Sequence, residues 1–172
     1  MIARRTACAV LAVALCGCAH GATQRDALAA IDTGRFALRT DTGAMYALAD
    51  HPGRVRVVQF FSSWCVPCLA ELNQLQKLVE REPDVTVVGV DFDLDAARTI
   101  GAFRATAKVT FPLLVADDAT RKGEGVFGPI AVLPTTVVID PAGVVRGAFT
   151  GLVSDASLER LIAAARRGAS AD

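Results

Sequence analysis

Two cysteines three positions apart, Cys65 and Cys68, stand where an apolar run passes straight into a helical repeat. Before them, Val55–Phe61 has the length and the β-branched, aromatic make-up of a buried strand. After them, Leu69, Leu72, Leu75, Leu78 and Val79 recur at spacings of three and four, which lays one apolar stripe along a helix that stops before Pro83. A strand feeding directly into a helix commits this part of the chain to an α/β arrangement, with the cysteines at the strand's end and the helix's start.

The rest of the chain reads in the same alternation. A short helix is expected around residues 24–31, then a hairpin of Phe36-Ala37-Leu38-Arg39 and Met45-Tyr46-Ala47-Leu48 about the turn Asp41-Thr42-Gly43. His51-Pro52-Gly53 turns into the strand before the cysteines. Beyond the first long helix, the pattern predicts a buried strand over 85–91 and a helix over 94–109 that presents Ala96, Ile100, Phe103 and Ala107 on one face. A short strand over 111–115 follows, then a loop marked by Gly123, Gly125, Gly128 and Pro129. Strands over 135–140 and 144–149 flank the turn Pro141-Ala142-Gly143. Ser154 or Asp155 caps a last helix whose Leu158, Leu161, Ile162 and Ala165 share a face. The expected fold is a mixed α/β sheet flanked by helices.

The chain's 172 residues and 52% hydrophobic content suit one core of ordinary size, and no internal repeat divides it. Its first seventeen residues hold Arg4 and Arg5, then an apolar run from Ala7 to Leu15, the pattern of a signal peptide. That run falls well short of the roughly 20 residues a transmembrane helix requires. The remainder carries 16 basic against 18 acidic side chains, a balance with no electrostatic footprint for nucleic acid.

Leu15-Cys16-Gly17-Cys18 resembles a bacterial lipobox, with Cys18 the residue to be lipidated because small Gly17 precedes it. The expected division is a signal peptide over 1–17, an anchor and linker over 18–34, a domain over 35–168 and a tail over 169–172. Cys8 and Cys16 leave with the signal and Cys18 takes the lipid, so Cys65 and Cys68 are the thiols left to the folded domain. One pair two residues apart closes too small a loop to staple a fold. Nor does it make a metal site, since a closed site takes four ligands and the only imidazoles are His20 and His51. No metal or other cofactor is expected.

Placed between strand and helix, Trp64-Cys65-Val66-Pro67-Cys68 reads as a redox motif. Unpaired N–H groups and the positive end of the dipole at a helix start stabilise a thiolate, which assigns attack to Cys65. Pro67 suits an early helical position, where its missing N–H has no partner to lose. Cys68, one turn further in and better shielded, is the resolving thiol.

With these residues in hand, the chain resembles the thioredoxin superfamily, and within it the membrane-anchored TlpA/ResA-like thiol-disulfide oxidoreductases. The marks run from about Arg35 to Ala165: the early hairpin, Val57-Val58-Gln59-Phe60-Phe61-Ser62-Ser63-Trp64-Cys65-Val66-Pro67-Cys68, Glu71, an insert around 93–112, and Leu133-Pro134-Thr135-Thr136-Val137-Val138-Ile139-Asp140. The resemblance implies a thioredoxin fold with an N-terminal β-hairpin and a central insert. It implies that Trp64 and Pro67 frame the cysteines, that Pro134 follows a cis peptide bond beside them, and that the Leu133 backbone pairs with an extended substrate. Glu71, three residues after Cys68, either tunes the thiols and moves protons, as in similar proteins, or is a solvated acid near a helix start. Two departures stand out. Gln59 replaces the buried Asp of thioredoxins and takes no proton at neutral pH, and Asn73 replaces a common helix-kinking Pro.

The function implied is reduction of specific disulfides in exported proteins, such as apocytochrome c or copper-protein thiols in cytochrome c biogenesis. A membrane thiol reductase would supply the electrons. The protein would be a monomer, lipid-anchored through Cys18 at the periplasmic face of the inner or outer bacterial membrane. The motif alone leaves direction open, because C-x-x-C proteins span about 150 mV in potential. An oxidase or isomerase, and a non-catalytic module binding copper or a partner protein, are the competing functions.

Overall fold

The computed structural model describes residues 24–168. The expected signal peptide over 1–17, Cys18, His20 and the expected tail over 169–172 lie outside the described residues. In chain order the elements are α1 (Gln24–Ala29), β1 (Ala37–Thr40), β2 (Met45–Ala47), β3 (Val55–Phe61), α2 (Val66–Arg81), β4 (Val85–Asp91), α3 (Ala96–Ala107), β5 (Leu113–Val115), α4 (Asp118–Arg121), β6 (Thr135–Ile139), β7 (Val145–Thr150) and α5 (Asp155–Gly168).

Seven strands form one mixed sheet in the order β2-β1-β5-β4-β3-β6-β7. β3 lies parallel to β4 over seven residue pairs, from Val55 opposite Val85 to Phe61 opposite Asp91. Such central parallel strands are buried on both faces, which is why both sequences are nearly continuous apolar runs. The expected hairpin forms and joins the sheet edge through β1, which pairs antiparallel with both β2 and β5.

Period-two alternation sends the strand side chains to two cores. Val55, Val57 and Phe61 of β3 face Leu72, Leu75 and Leu78 of α2, Ile100 of α3, and Leu158 and Ile162 of α5. Val58 and Phe60 face the opposite way, into a second core with Phe36, Val88, Val90 and Leu114, against which Leu28 and Phe127 pack. Leu72, Leu75 and Leu78 are each at most 1% exposed, a burial that stabilises by roughly 1.5–3 kcal/mol per side chain.

Several boundaries move for local reasons. α3 ends at Ala107 because Lys108 adopts a left-handed conformation (φ 54°) and its N–H returns to the Arg104 carbonyl. α4 arises in a stretch read as loop, where Asp117 accepts the Thr120 N–H at 2.8 Å and caps a single turn. Ser154 is the acceptor that caps α5, taking the Ser157 N–H at 3.3 Å.

Candidate active site

β3 ends at Phe61, and residues 62–64 carry the chain over to α2, whose N-cap is Cys65. The Cys65 N–H donates to the Ser62 carbonyl at 3.1 Å, and Cys65 Sγ accepts the Cys68 N–H at 3.3 Å. The sulfur thus takes up one of the N–H groups that a helix start leaves free. Cys65 and Cys68 are joined in a disulfide. Cys65 is 7% exposed and Cys68 fully buried, while Trp64 and Val66 beside them stand 76% and 75% exposed. Pro67 falls in the first helical turn, where the sequence put it.

β6 brings the second half of the site. The Leu133–Pro134 peptide bond is cis, and Thr135 pairs with Phe60, so Pro134 lies at the same end of the sheet as the cysteines. Its carbonyl accepts the Gly151 N–H at 2.7 Å. Leu133 is half-buried and Val132, before it, is exposed.

Glu71 is fully buried, which removes the solvated alternative. Thr136 Oγ1 donates to Glu71 Oε1, and the Val153 N–H donates to Oε2 at 3.4 Å. Burial pushes the carboxyl above its ordinary range, and these two bonds offset part of that rise. Gln59 pairs across the sheet with Thr136, and its Nε2 donates to the Cys68 carbonyl at 3.4 Å. Its Oε1 has no partner among the described residues. One turn of α2 is therefore held from below by adjacent side chains of β3 and β6. The partners Thr136 and Val153 had no signal in the sequence, because they are remote along the chain. Asn73 is exposed on α2, which runs as one helix over Val66–Arg81.

Two acids that sequence reasoning passed over also belong here. Asp91 and Asp93 follow the apolar run of β4 and are both buried. Asp93 Oδ2 accepts the Ser63 N–H at 3.1 Å and the Ser63 hydroxyl. Burial pushes Asp91 up to about 6, with the bond from the Asp93 N–H offsetting part of the rise and the charges of Asp93 and Asp95 adding to it. An acid at the end of a buried strand, level with the motif, was the available signal.

Among the described residues no three His, Cys, Asp or Glu side chains gather as a metal site would require. Nor is any helix among them long and apolar enough to cross a membrane.

The AhpC/TSA family matches residues 31–148. The thioredoxin-like protein YneN of Bacillus subtilis is 29% identical over 128 residues, covering 73% of each chain. The thiol-disulfide oxidoreductase ResA of Geobacillus kaustophilus is 28% identical over 142 residues, covering 80% of this chain and 79% of ResA. A crystal structure of a thioredoxin-family thiol:disulfide interchange protein from Chlorobium tepidum superposes with a TM-score of 0.64 at 26% identity, covering 76% of this chain and 92% of that one.

Proposed function

This chain belongs to the AhpC/TSA family and is a thiol-disulfide oxidoreductase of the ResA kind, and we propose that it works as a reductant of disulfides in exported proteins. The observation that carries the thiol-exchange chemistry is the asymmetry of the cysteine pair, and the reducing direction is what the family resemblance implies. Cys65 sits at the helix start with its sulfur on a backbone N–H and keeps some exposure, whereas Cys68 lies wholly inside.

In the reduced protein, the Cys65 thiolate attacks a substrate disulfide. A bond forms between Cys65 Sγ and one substrate sulfur, and the other substrate sulfur leaves as a thiolate. Cys68 then attacks Cys65 Sγ, releases the second substrate thiol and closes the Cys65–Cys68 disulfide. Two electrons pass to the substrate, and a membrane thiol reductase restores the dithiol. Glu71, buried one turn beyond Cys68 with a raised proton affinity, is the group that exchanges protons with the thiols. Gln59 cannot take that part, because an amide does not ionise here. The exposed apolar side chains Trp64, Val66 and Val132 support a docking role for this rim, with Pro134 and the Leu133 backbone aligning an extended substrate segment.

We place the protein at the periplasmic face of a bacterial membrane, as a monomer held by a lipid on Cys18. A mass of the mature N-terminus checks the anchor: acyl chains on Cys18 are expected, and an unmodified terminus refutes it. The direction is tested by equilibrating the protein with glutathione. A reductant poises near the value of thioredoxin, about −270 mV, and a poise near the about −120 mV of a strong oxidant overturns the reading.

A further inference from the structure

Behind the loop that carries Cys65, Asp91 and Asp93 take no part in the disulfide chemistry. The Asp93 N–H donates to Asp91 Oδ1 at 2.9 Å, so Asp91 grips the backbone of its neighbour. Asp93 in turn grips Ser63 twice, through its N–H and its hydroxyl. The Phe92 N–H donates to the Phe61 carbonyl at 2.8 Å, and the Cys65 N–H to the Ser62 carbonyl at 3.1 Å. Segment 91–93 therefore fixes residues 61–63, and these in turn fix Cys65.

Each acid also holds one buried oxygen, Asp91 Oδ2 and Asp93 Oδ1, with no partner among the described residues. Both carboxyl groups are buried, and the charge of Asp93 opposes ionisation of Asp91. The other charges facing Asp91 are Asp95, which opposes its ionisation, and Arg121, which favours it. Arg121 itself donates to the Asp93 carbonyl at 3.4 Å and pairs with Asp118. At this level β3 contributes Phe61 and β5 contributes Val115, neither of them charged.

Taking Cys65 as the attacking thiol, as proposed above, we infer that Asp93 is its positioning residue, holding Ser63 and through it the turn from which the sulfur projects, with Asp91 as a protonation-dependent support. With a proton on Asp91, the pair bears a single charge and Asp91 Oδ1 still accepts the Asp93 N–H. Without it, two like charges face each other in a buried site and the grip on Ser63 loosens. The reactivity of Cys65 per thiolate therefore steps down as Asp91 ionises.

The test is site-resolved alkylation of the reduced full chain with iodoacetamide, following the Cys65 peptide by mass spectrometry from about pH 4.5 to about pH 9, a span that covers carboxyl and thiol titrations. Wild type shows a step near pH 6 once the rate is divided by the thiolate fraction. Asp91→Asn abolishes the step. Ser63→Ala, at a half-buried position outside both cores, lowers the rate per thiolate by about tenfold, the population effect of one lost bond to a charged acceptor. Asp93→Asn keeps an acceptor oxygen for Ser63, so it retains most of the rate and loses the step. Superimposable profiles for all four proteins overturn the positioning role, as does a step that persists in both Asp variants. Those results are separable from failure of the proposed function, which is read by whether Cys68→Ala traps substrates through Cys65.

Discussion

The two ends of the central sheet both bury charged side chains, and they do so in opposite ways. At the end away from the cysteines, Arg56 is 5% exposed and donates to the carbonyls of Leu48 at 3.2 Å and Asp140 at 2.6 Å. The buried Asp140 carboxylate accepts from Arg146 at 2.7 Å and from the Val144 N–H at 2.9 Å. The buried anion there is paired with the exposed Arg146, and its charge also favours the buried Arg56 cation. At the cysteine end, Glu71, Asp91 and Asp93 are all buried acids, and none has an ion pair among the described residues. Unpartnered polar atoms occur at both ends, Tyr46 Oη and Arg56 Nε at one and Gln59 Oε1 at the other. What separates the ends is charge pairing, not saturation of hydrogen bonds. Paired burial serves the fold, while unpaired acids bind protons more tightly and so become useful to chemistry.

The largest expected effect is at the reacting sulfur. Cys65→Ser removes the nucleophile, and turnover of a peptide disulfide followed by thiol release falls by at least about a thousandfold. Residual turnover through Cys68 at a comparable rate would dissolve the distinction between attacking and resolving thiols. At the paired end, Asp140→Ala strands Arg146 and the Val144 N–H, and urea unfolding should show a loss of about 3 kcal/mol. The alkylation rate of Cys65 in the folded variant stays at the wild-type value. A change there would mean that the two ends are not separable.

Glu71→Gln sharpens the comparison from the other side, with thiol exchange slowed by roughly tenfold to a hundredfold when followed against pH. Its stability profile has a definite sign. The folded carboxyl holds its proton above the ordinary value of 4.5, so the native chain binds more protons than the unfolded one in the interval above that value. The stability this lends is complete below about pH 4.5 and is lost as pH rises through the folded value. Urea titrations of Glu71→Gln should lack that decline. The smallest effect is expected at a pair that is neither buried nor near the site. Arg81→Ala breaks its exposed contact with Glu159 at 3.1 Å, and the melting experiment should register no more than about 0.5 kcal/mol.

How much of this was visible in the chain follows from how far each signal reaches along it. β3, β4 and α2 were legible because their apolar patterns are local and long, and the cysteines were legible because strand, motif and helix adjoin. α4 was missed, since a single turn capped by Asp117 leaves no periodicity to detect. The burial of Glu71 was undecided by sequence because its partners, Thr136 and Val153, lie 65 and 82 residues away. The clamp of Asp93 on Ser63 spans 30 residues and exists only through the parallel pairing of β3 with β4. Side-chain partners across a sheet depend on register, and register emerges from the assembled fold.

The central claim is that Cys65 attacks and Cys68 resolves. Incubating the Cys68→Ala and Cys65→Ala variants separately with disulfide-bonded exported proteins, then mapping the captured species by mass spectrometry, tests it directly. The account predicts mixed disulfides through Cys65 in the first variant and almost none in the second. Equal capture through Cys68, or no capture through Cys65 under conditions where the wild type turns over, would contradict it.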